Sequence, residues 1–453
     1  GCLLAAPALA VEAPPAPGTP RDFALPARQT VQLDNGLSIT FLDFGRVPKV
    51  TLLAAVRTGT IDEGEDTWLA ALTAEMMREG TLARSAAELA RQSAEMGGGL
   101  SVSAGAEQVT IGLSVLSEHA AAAAALVADV LRNPLLPEPE LPRLVGSLQR
   151  RLAVAQSDPD SLAGQALAQL VYGDHPFGRT LPTAEQLSAY TAGDVQRFHA
   201  TQFGARRTHV YVAGRYDRAG LEAALRDAFA SWAPGPEPRQ EPPSMRFGPS
   251  VRFVDRPGAQ QSTLRLAMPA PHPAEADQVP FSLMNTLLGG SFASRITTNI
   301  REDKGYTYSP YSTISARRRS AMWVQEADVT TPDTAAALRE IFAEIRRLAG
   351  EAPAPAEVES TQNYRAGLFV VQNSTPAGVL GQLAFIDLHG LPDEYLTRFV
   401  ARVYAVTPEQ VTAMAARWLD LSQLVLVVVG DLAQVEASVR SMPELATADA
   451  DAR

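Results

Sequence analysis

The amino-acid sequence predicts an α+β protein of two similar halves, each with helices packed on a mainly antiparallel sheet. Three observations carry this prediction. Strands and long helices are mixed along the chain, a Pro-rich break lies near the middle, and a helix–strand–helix unit recurs at a fixed offset. The break runs from Trp232-Ala233-Pro234-Gly235-Pro236-Glu237-Pro238 to Pro243 and has the composition of an interdomain linker. It divides the 453 residues into two parts of roughly 200, an ordinary domain size. The expected limits are 29–232 for the first half, 233–249 for the linker and 250–445 for the second half.

In chain order, structure is expected to begin with Thr30-Val31-Gln32-Leu33 and to turn at Asp34-Asn35-Gly36-Leu37. Asn-Gly between alternating apolar runs is a hairpin signal. Thr110-Ile-Gly-Leu-Ser-Val115 alternates as a half-buried strand does, and the Ala-rich run from His119 to Leu131 has helical character. Thr191 then caps a helical run to Phe203, followed by the strand His209-Val-Tyr-Val-Ala213 and Gly214. In the second half Thr407 caps a run to Leu419, followed by Val425-Leu-Val-Val-Val429 and Gly430. Thr191, Val195 and Gly214 match Thr407, Val411 and Gly430 at one offset of 216 residues. A further helix follows each strand, at 217–229 and 432–441. A threonine N-cap and a β-branched strand at the same spacing in both halves indicate a duplication.

Composition narrows the function. Hydrophobic residues make up 46% and charged residues 20% of the chain, as in soluble globular proteins. The net charge of −11 and pI near 5.2 repel phosphate backbones and anionic lipid, which excludes nucleic-acid and membrane-surface binding as primary roles. The remaining bias is toward cationic or neutral ligands. Cys2 is the single cysteine, and the six histidines lie too far apart for a pair on one helical turn, so a zinc site has poor raw material. Residues 1–28 read as the tail of a signal peptide and a Pro-rich leader. Ala8-Leu9-Ala10 supplies the cleavage pattern, and export to the periplasm, soluble or loosely membrane-attached, is expected.

The most specific stretch is Ser291-Phe-Ala-Ser-Arg-Ile-Thr-Thr-Asn-Ile-Arg301-Glu-Asp-Lys-Gly305-Tyr306-Thr-Tyr308. A helix from near Val279 is expected to break at Gly289-Gly290, resume to about Asp303 and end at Gly305 as C-cap. Tyr306-Thr-Tyr308 is then expected to open a strand. Arg301 and Tyr308 would aim their polar tips at one place, an arrangement suited to a peptide carbonyl or an oxyanion.

With Ser294-Arg295-Ile296, Ile300-Arg301-Glu302, Gly305 and Tyr308 in this order, the chain resembles the pitrilysin/insulinase family of zinc peptidases, the inverzincins. The resemblance runs from about residue 30 to residue 440 and includes the duplication. It implies half of a clamshell chamber, in which the arginine and tyrosine hold substrate across from the zinc of another domain or subunit. Family members carry H-x-x-E-H on a helix shortly before a Gly-Thr pair, with two zinc ligands and a general base on one helix face. Anchoring on Gly80-Thr81 places those positions at Ala71, Ala74 and Glu75. The third ligand of the family is a later glutamate, which would fall near Leu144–Ala155, where no carboxylate stands. His175, in Gly173-Asp174-His175-Pro176-Phe177-Gly178, is expected to be structural, and Gly97-Gly98-Gly99 to be a turn with no phosphate-binding role.

These readings imply that the chain itself binds no metal or cofactor and is no peptidase alone. It is expected to serve as the non-catalytic, substrate-binding subunit of a heterodimeric zinc peptidase, with zinc in an H-x-x-E-H partner and a peptide as substrate. The alternative is a peptidase-like binding or scaffold protein without proteolytic role. No Gly-x-Ser-x-Gly elbow, dinucleotide fingerprint or Walker loop points to another enzyme class.

Overall fold

The Asn35-Gly36 turn joins strands β1 (Arg28–Gln32) and β2 (Ser38–Asp43), paired antiparallel from Gln32↔Ser38 outward. Gly36 takes φ +92°, the left-handed conformation that favours glycine here. The computed structural model describes residues 24–239 and 241–445. Ala8-Leu9-Ala10 and Cys2, on which the export reading rests, lie outside the described residues.

The first sheet adds β3 (Lys49–Val56), β4 (Ser101–Ala104), β5 (Val109–Leu116) and β6 (Thr208–Gly214) in the order β1-β2-β6-β3-β5-β4. Only the β2–β6 pair is parallel. Along β5 the buried residues are Val109, Ile111, Leu113 and Val115, the alternation expected of a half-buried strand. The second sheet is β7 (Ser250–Asp255), β8 (Gln261–Pro269), β9 (Tyr311–Arg317), β10 (Ser320–Thr330) and β11 (Val425–Gly430), ordered β7-β11-β8-β10-β9. Here only β7–β11 is parallel.

The duplication is therefore topological. β6 and β11 each lie between one parallel and one antiparallel neighbour. The helices that precede them, Ala192–Gln202 and Pro408–Trp418, begin with capping boxes on Thr191–Asp194 and Thr407–Gln410. The segment between Trp232 and Ser250 carries no helix or strand among its described residues.

Each half covers the other's sheet with one helix. Helix Pro159–Tyr172 of the first half lies across the second sheet, packing Ala163, Ala166, Leu167 and Val171 against Met322, Val324, Val425 and Val427. Reciprocally, helix Pro376–His389 of the second half packs on β6 and β3. There Tyr211 Oη donates to Asp387 Oδ2 (2.7 Å), and His209 Nδ1 lies 3.1 Å from the same carboxylate. Arg57 also donates to the Asp387 carbonyl at 2.9 Å. β11, covered on both faces, is buried along its whole length, consistent with its unbroken valine run. No helix among the described residues is long and apolar enough to cross a membrane.

Candidate functional site

The first half places Ala71, Ala74 and Glu75 on helix Leu69–Met76, at spacings that share one helix face. Ala71 and Ala74 offer only methyl groups, and Ala74 is buried. Helix Leu141–Ser157, which holds the stretch where a third carboxylate would fall, packs against helix 69–76. The residue it brings to Glu75 is Arg151, whose Nη1 lies 3.2 Å from Glu75 Oε1. The same guanidinium stacks over the Trp68 ring at 4.7 Å from its centroid. Glu75 is thus ion-paired and half-buried, its side chain 28% exposed.

These residues do not fit a zinc ion. Two of the four positions lack a donor atom, one carboxylate is engaged by a cation, and the helix that would supply the third ligand supplies a positive charge instead. No group of three or more histidine, cysteine or acidic side chains among the described residues could hold a metal.

Just upstream, Glu63 accepts the Ala70 N–H through Oε1 (2.8 Å) and the Trp68 N–H through Oε2 (3.2 Å). It thereby satisfies two donors at the start of helix 69–76. Burial dominates its acidity and raises its pKa from 4.5 to about 7, against the lowering effect of those two bonds. Trp68 sits at φ 71°, a left-handed conformation unusual for a large side chain. Its indole donates to the Thr180 carbonyl at 2.9 Å, which fixes the ring beneath Arg151.

In the second half, helix Gln278–Leu288 ends at Gly289, one residue before the expected break is complete. The chain re-enters helix at Arg295–Thr297 with Ser294 as N-cap and continues as π-helix over Thr298–Asp303. A π-turn of this kind is rare and is found often at functional sites. Gly305 takes φ +70°, and the Tyr306 N–H returns to the Ile300 carbonyl at 2.8 Å, so the predicted C-cap is present.

One expectation is corrected. Tyr306-Thr-Tyr308 does not open a strand; Thr307 makes an isolated bridge to Val329, and β9 starts at Tyr311. Pro310 has no N–H to donate to the ladder, which delays the strand until the residue after it.

Arg301 and Tyr308 are brought together. The Arg301 guanidinium lies 4.9 Å from the Tyr308 ring centroid and 4.2 Å from that of Phe292. It stacks on ring faces, so the two polar tips do not meet directly as the spacing suggested. Glu302 Oε1 stands 3.2 Å from Arg301 Nε. Two exposed rings, Phe292 at 66% and Tyr308 at 77%, flank a guanidinium that is 22% exposed. The aromatic faces hold the arginine by cation–π attraction and leave the phenol free for a partner. The Tyr308 phenol makes no hydrogen bond to the described residues. Phe292, read only as part of the motif, is the neighbour that sequence spacing did not single out.

His175 accepts the Phe177 N–H through Nδ1 and packs edge-on to Phe177 at 4.7 Å, the structural role expected. Burial lowers its pKa.

The family described as "Insulinase (Peptidase family M16)" matches residues 46–185, and "Peptidase M16 inactive domain" matches residues 189–364. An uncharacterized zinc protease of Mycobacterium leprae (strain TN) is 27% identical over 398 residues, covering 86% of this chain and 88% of its own. An uncharacterized zinc protease of Bacillus subtilis (strain 168) is 24% identical over 290 residues, covering 64% of this chain and 70% of its own. The crystal structure of a peptidase M16 inactive domain from Pseudomonas fluorescens superposes with a TM-score of 0.82 at 23% identity, covering 89% of this chain and 98% of that one. A protease from Helicobacter pylori gives a TM-score of 0.82 at 16% identity, covering 90% and 100%. At these identities the superpositions speak for the fold. The chain belongs to the insulinase family of peptidases, with an insulinase-type region in its first half and an inactive-type domain reaching from there into the second.

Proposed function

We propose that this chain is the metal-free, substrate-holding subunit of a two-subunit zinc peptidase that degrades peptides or unfolded segments. The observation that carries the proposal is a contrast between the halves. The position of the metal site is closed by the Glu75–Arg151 pair, while Arg301, on the π-helix, and Tyr308, just beyond it, remain assembled with the tyrosine ring exposed. A homologous partner bearing H-x-x-E-H would hold the zinc, which supplies an activated water and a polarised carbonyl.

The work of this chain is orientation. Arg301 carries donors that suit a peptide carbonyl, and Tyr308 adds a phenolic donor beside it. Held from one side in this way, a scissile bond meets the partner's site with less freedom to lose. The periplasm is the proposed compartment, on the strength of the Ala8-Leu9-Ala10 pattern.

The test is a tagged pull-down of this chain from its native periplasmic extract. A stoichiometric partner with H-x-x-E-H is the expected result. Recovery of the chain alone, or with an unrelated assembly, would favour the scaffold role.

A further inference from the structure

A cavity of about 410 Å³ lies between the two halves, beside the place of the absent metal site. Trp68 and Glu63, at the head of helix 69–76, line one side. Strands β9 and β10 line the other through Thr313, Ser315, Arg317, Met322 and Val324. β9 is the strand that follows Tyr308. No side chain of either motif lines the cavity, but it lies between the residues that lead into helix 69–76 and the strand that follows Tyr308, and its volume is in the range of small-molecule and side-chain pockets.

Its charge runs against the net charge of −11 of the whole chain. The two lining carboxylates are already engaged. Glu63 accepts two backbone N–H groups, and Glu326 stands 3.4 Å from Arg265, which also binds Asp160. Arg179 and Arg317 also line the cavity, and neither has an ion-pair partner among the described residues. Arg179 donates only to the carbonyls of Asp174 and Gly64. Arg317 donates only to the Ala316 carbonyl, at 3.3 Å, and lies over the Phe177 ring at 5.4 Å. Each also leaves its Nε shielded from water with no acceptor. Turning either guanidinium toward an acceptor in the cavity would remove that cost. Trp68, Met322 and Val324 supply apolar wall for the stem of a ligand.

From this geometry we infer that the cavity is a subsite for a carboxylate, with Arg179 and Arg317 as its ligands, and that it selects acidic peptides. The inference rests on the substrate-holding role proposed above. An aspartate or glutamate side chain and a peptide C-terminus present the same group, and guanidinium forks recognise it by paired charge-assisted hydrogen bonds.

The test uses the purified chain and three fluorescein-labelled nonapeptides of one backbone sequence, read by fluorescence anisotropy. One carries two glutamates and a C-terminal amide. The second has glutamines in their place and a free C-terminus. The third has glutamines and an amide. We expect at least one carboxylate-bearing peptide to bind tenfold or more tightly than the neutral one, and which of the two does so identifies the source of the carboxylate. Arg317→Gln and Arg179→Gln should remove that preference while leaving neutral-peptide affinity within twofold. Arg317→Lys, which keeps the charge and loses the fork, should retain part of it, and an unchanged thermal midpoint would show each variant folded. Equal affinity for all three peptides, or variants that weaken all three alike, would overturn the subsite while leaving peptide holding intact. Binding of none would overturn both.

Discussion

Replacing Glu63 by glutamine should flatten part of the pH dependence of stability, by an amount that follows from its burial. The folded pKa of Glu63 is raised from 4.5 to about 7, chiefly by desolvation. Between those values the folded chain keeps a proton that the unfolded chain releases. Its contribution to stability is present below pH 4.5 and is lost as the pH rises through 7. With 1.36 kcal/mol per pKa unit, the loss across the whole window is about 3 kcal/mol, and between pH 5 and pH 8 it is roughly 2.5 kcal/mol. Two imidazoles, the half-buried His209 and the buried His389, work in the opposite direction. Burial pushes both down to about 4, so their contribution grows as the pH rises from 4 to 6.5. Comparing wild type with Glu63→Gln at each pH cancels those terms. Glutamine keeps one acceptor for the Ala70 N–H and titrates nowhere in the range. Urea unfolding followed by circular dichroism at pH 5 and pH 8 gives the four free energies needed. Wild type should lose about 2.5 kcal/mol relative to the variant between the two. A wild-type-to-variant difference equal at both pH values within about 0.5 kcal/mol would refute a neutral, buried Glu63 at the head of helix 69–76.

Three further outcomes are expected. Arg301→Ala or Tyr308→Phe should lower turnover by a reconstituted pair about 10²-fold, the scale of losing one oxyanion donor; unchanged turnover in both would remove the assigned role. Metal analysis by mass spectrometry should find no stoichiometric zinc in this chain alone, and one tightly held ion per chain would contradict the reading of Ala71, Ala74 and Glu75. Gly305→Ala, at φ +70°, should cost about 1–2 kcal/mol and loosen the turn that holds Arg301 over Tyr308. Its urea midpoint decides this, and wild-type stability would contradict it.

Local signals made much of this structure legible from the residues. The turn at Asn35-Gly36, the threonine caps at 191 and 407, and the left-handed Gly305 each depend on a few neighbouring residues, and each was recoverable. β9 begins at Tyr311 and not at Tyr306, although the cause, Pro310, is equally local. What stayed hidden depends on contacts far apart in sequence. The exchange of helices 159–172 and 376–389 between the halves has no local signature, because each helix carries an apolar face that would suit either sheet. The Arg151–Glu75 pair joins residues 76 apart. Its only trace in the sequence is the pair Arg150-Arg151 in the stretch where the family's carboxylate ligand would fall. Phe292 beside Arg301 is set by the path of the 289–294 loop, which composition does not fix.

In the role proposed above, this chain orients substrate for a metal it does not hold. This is tested most directly by purifying this chain and the proposed H-x-x-E-H partner separately and measuring cleavage of a quenched-fluorescent peptide by each alone and by the mixture. This chain alone should be inactive, the partner alone at most feebly active, and the equimolar mixture should cleave at least tenfold faster with its zinc on the partner. Zinc-dependent cleavage by this chain alone, or a partner whose rate is the same with and without it, would rule out an orienting role for this chain.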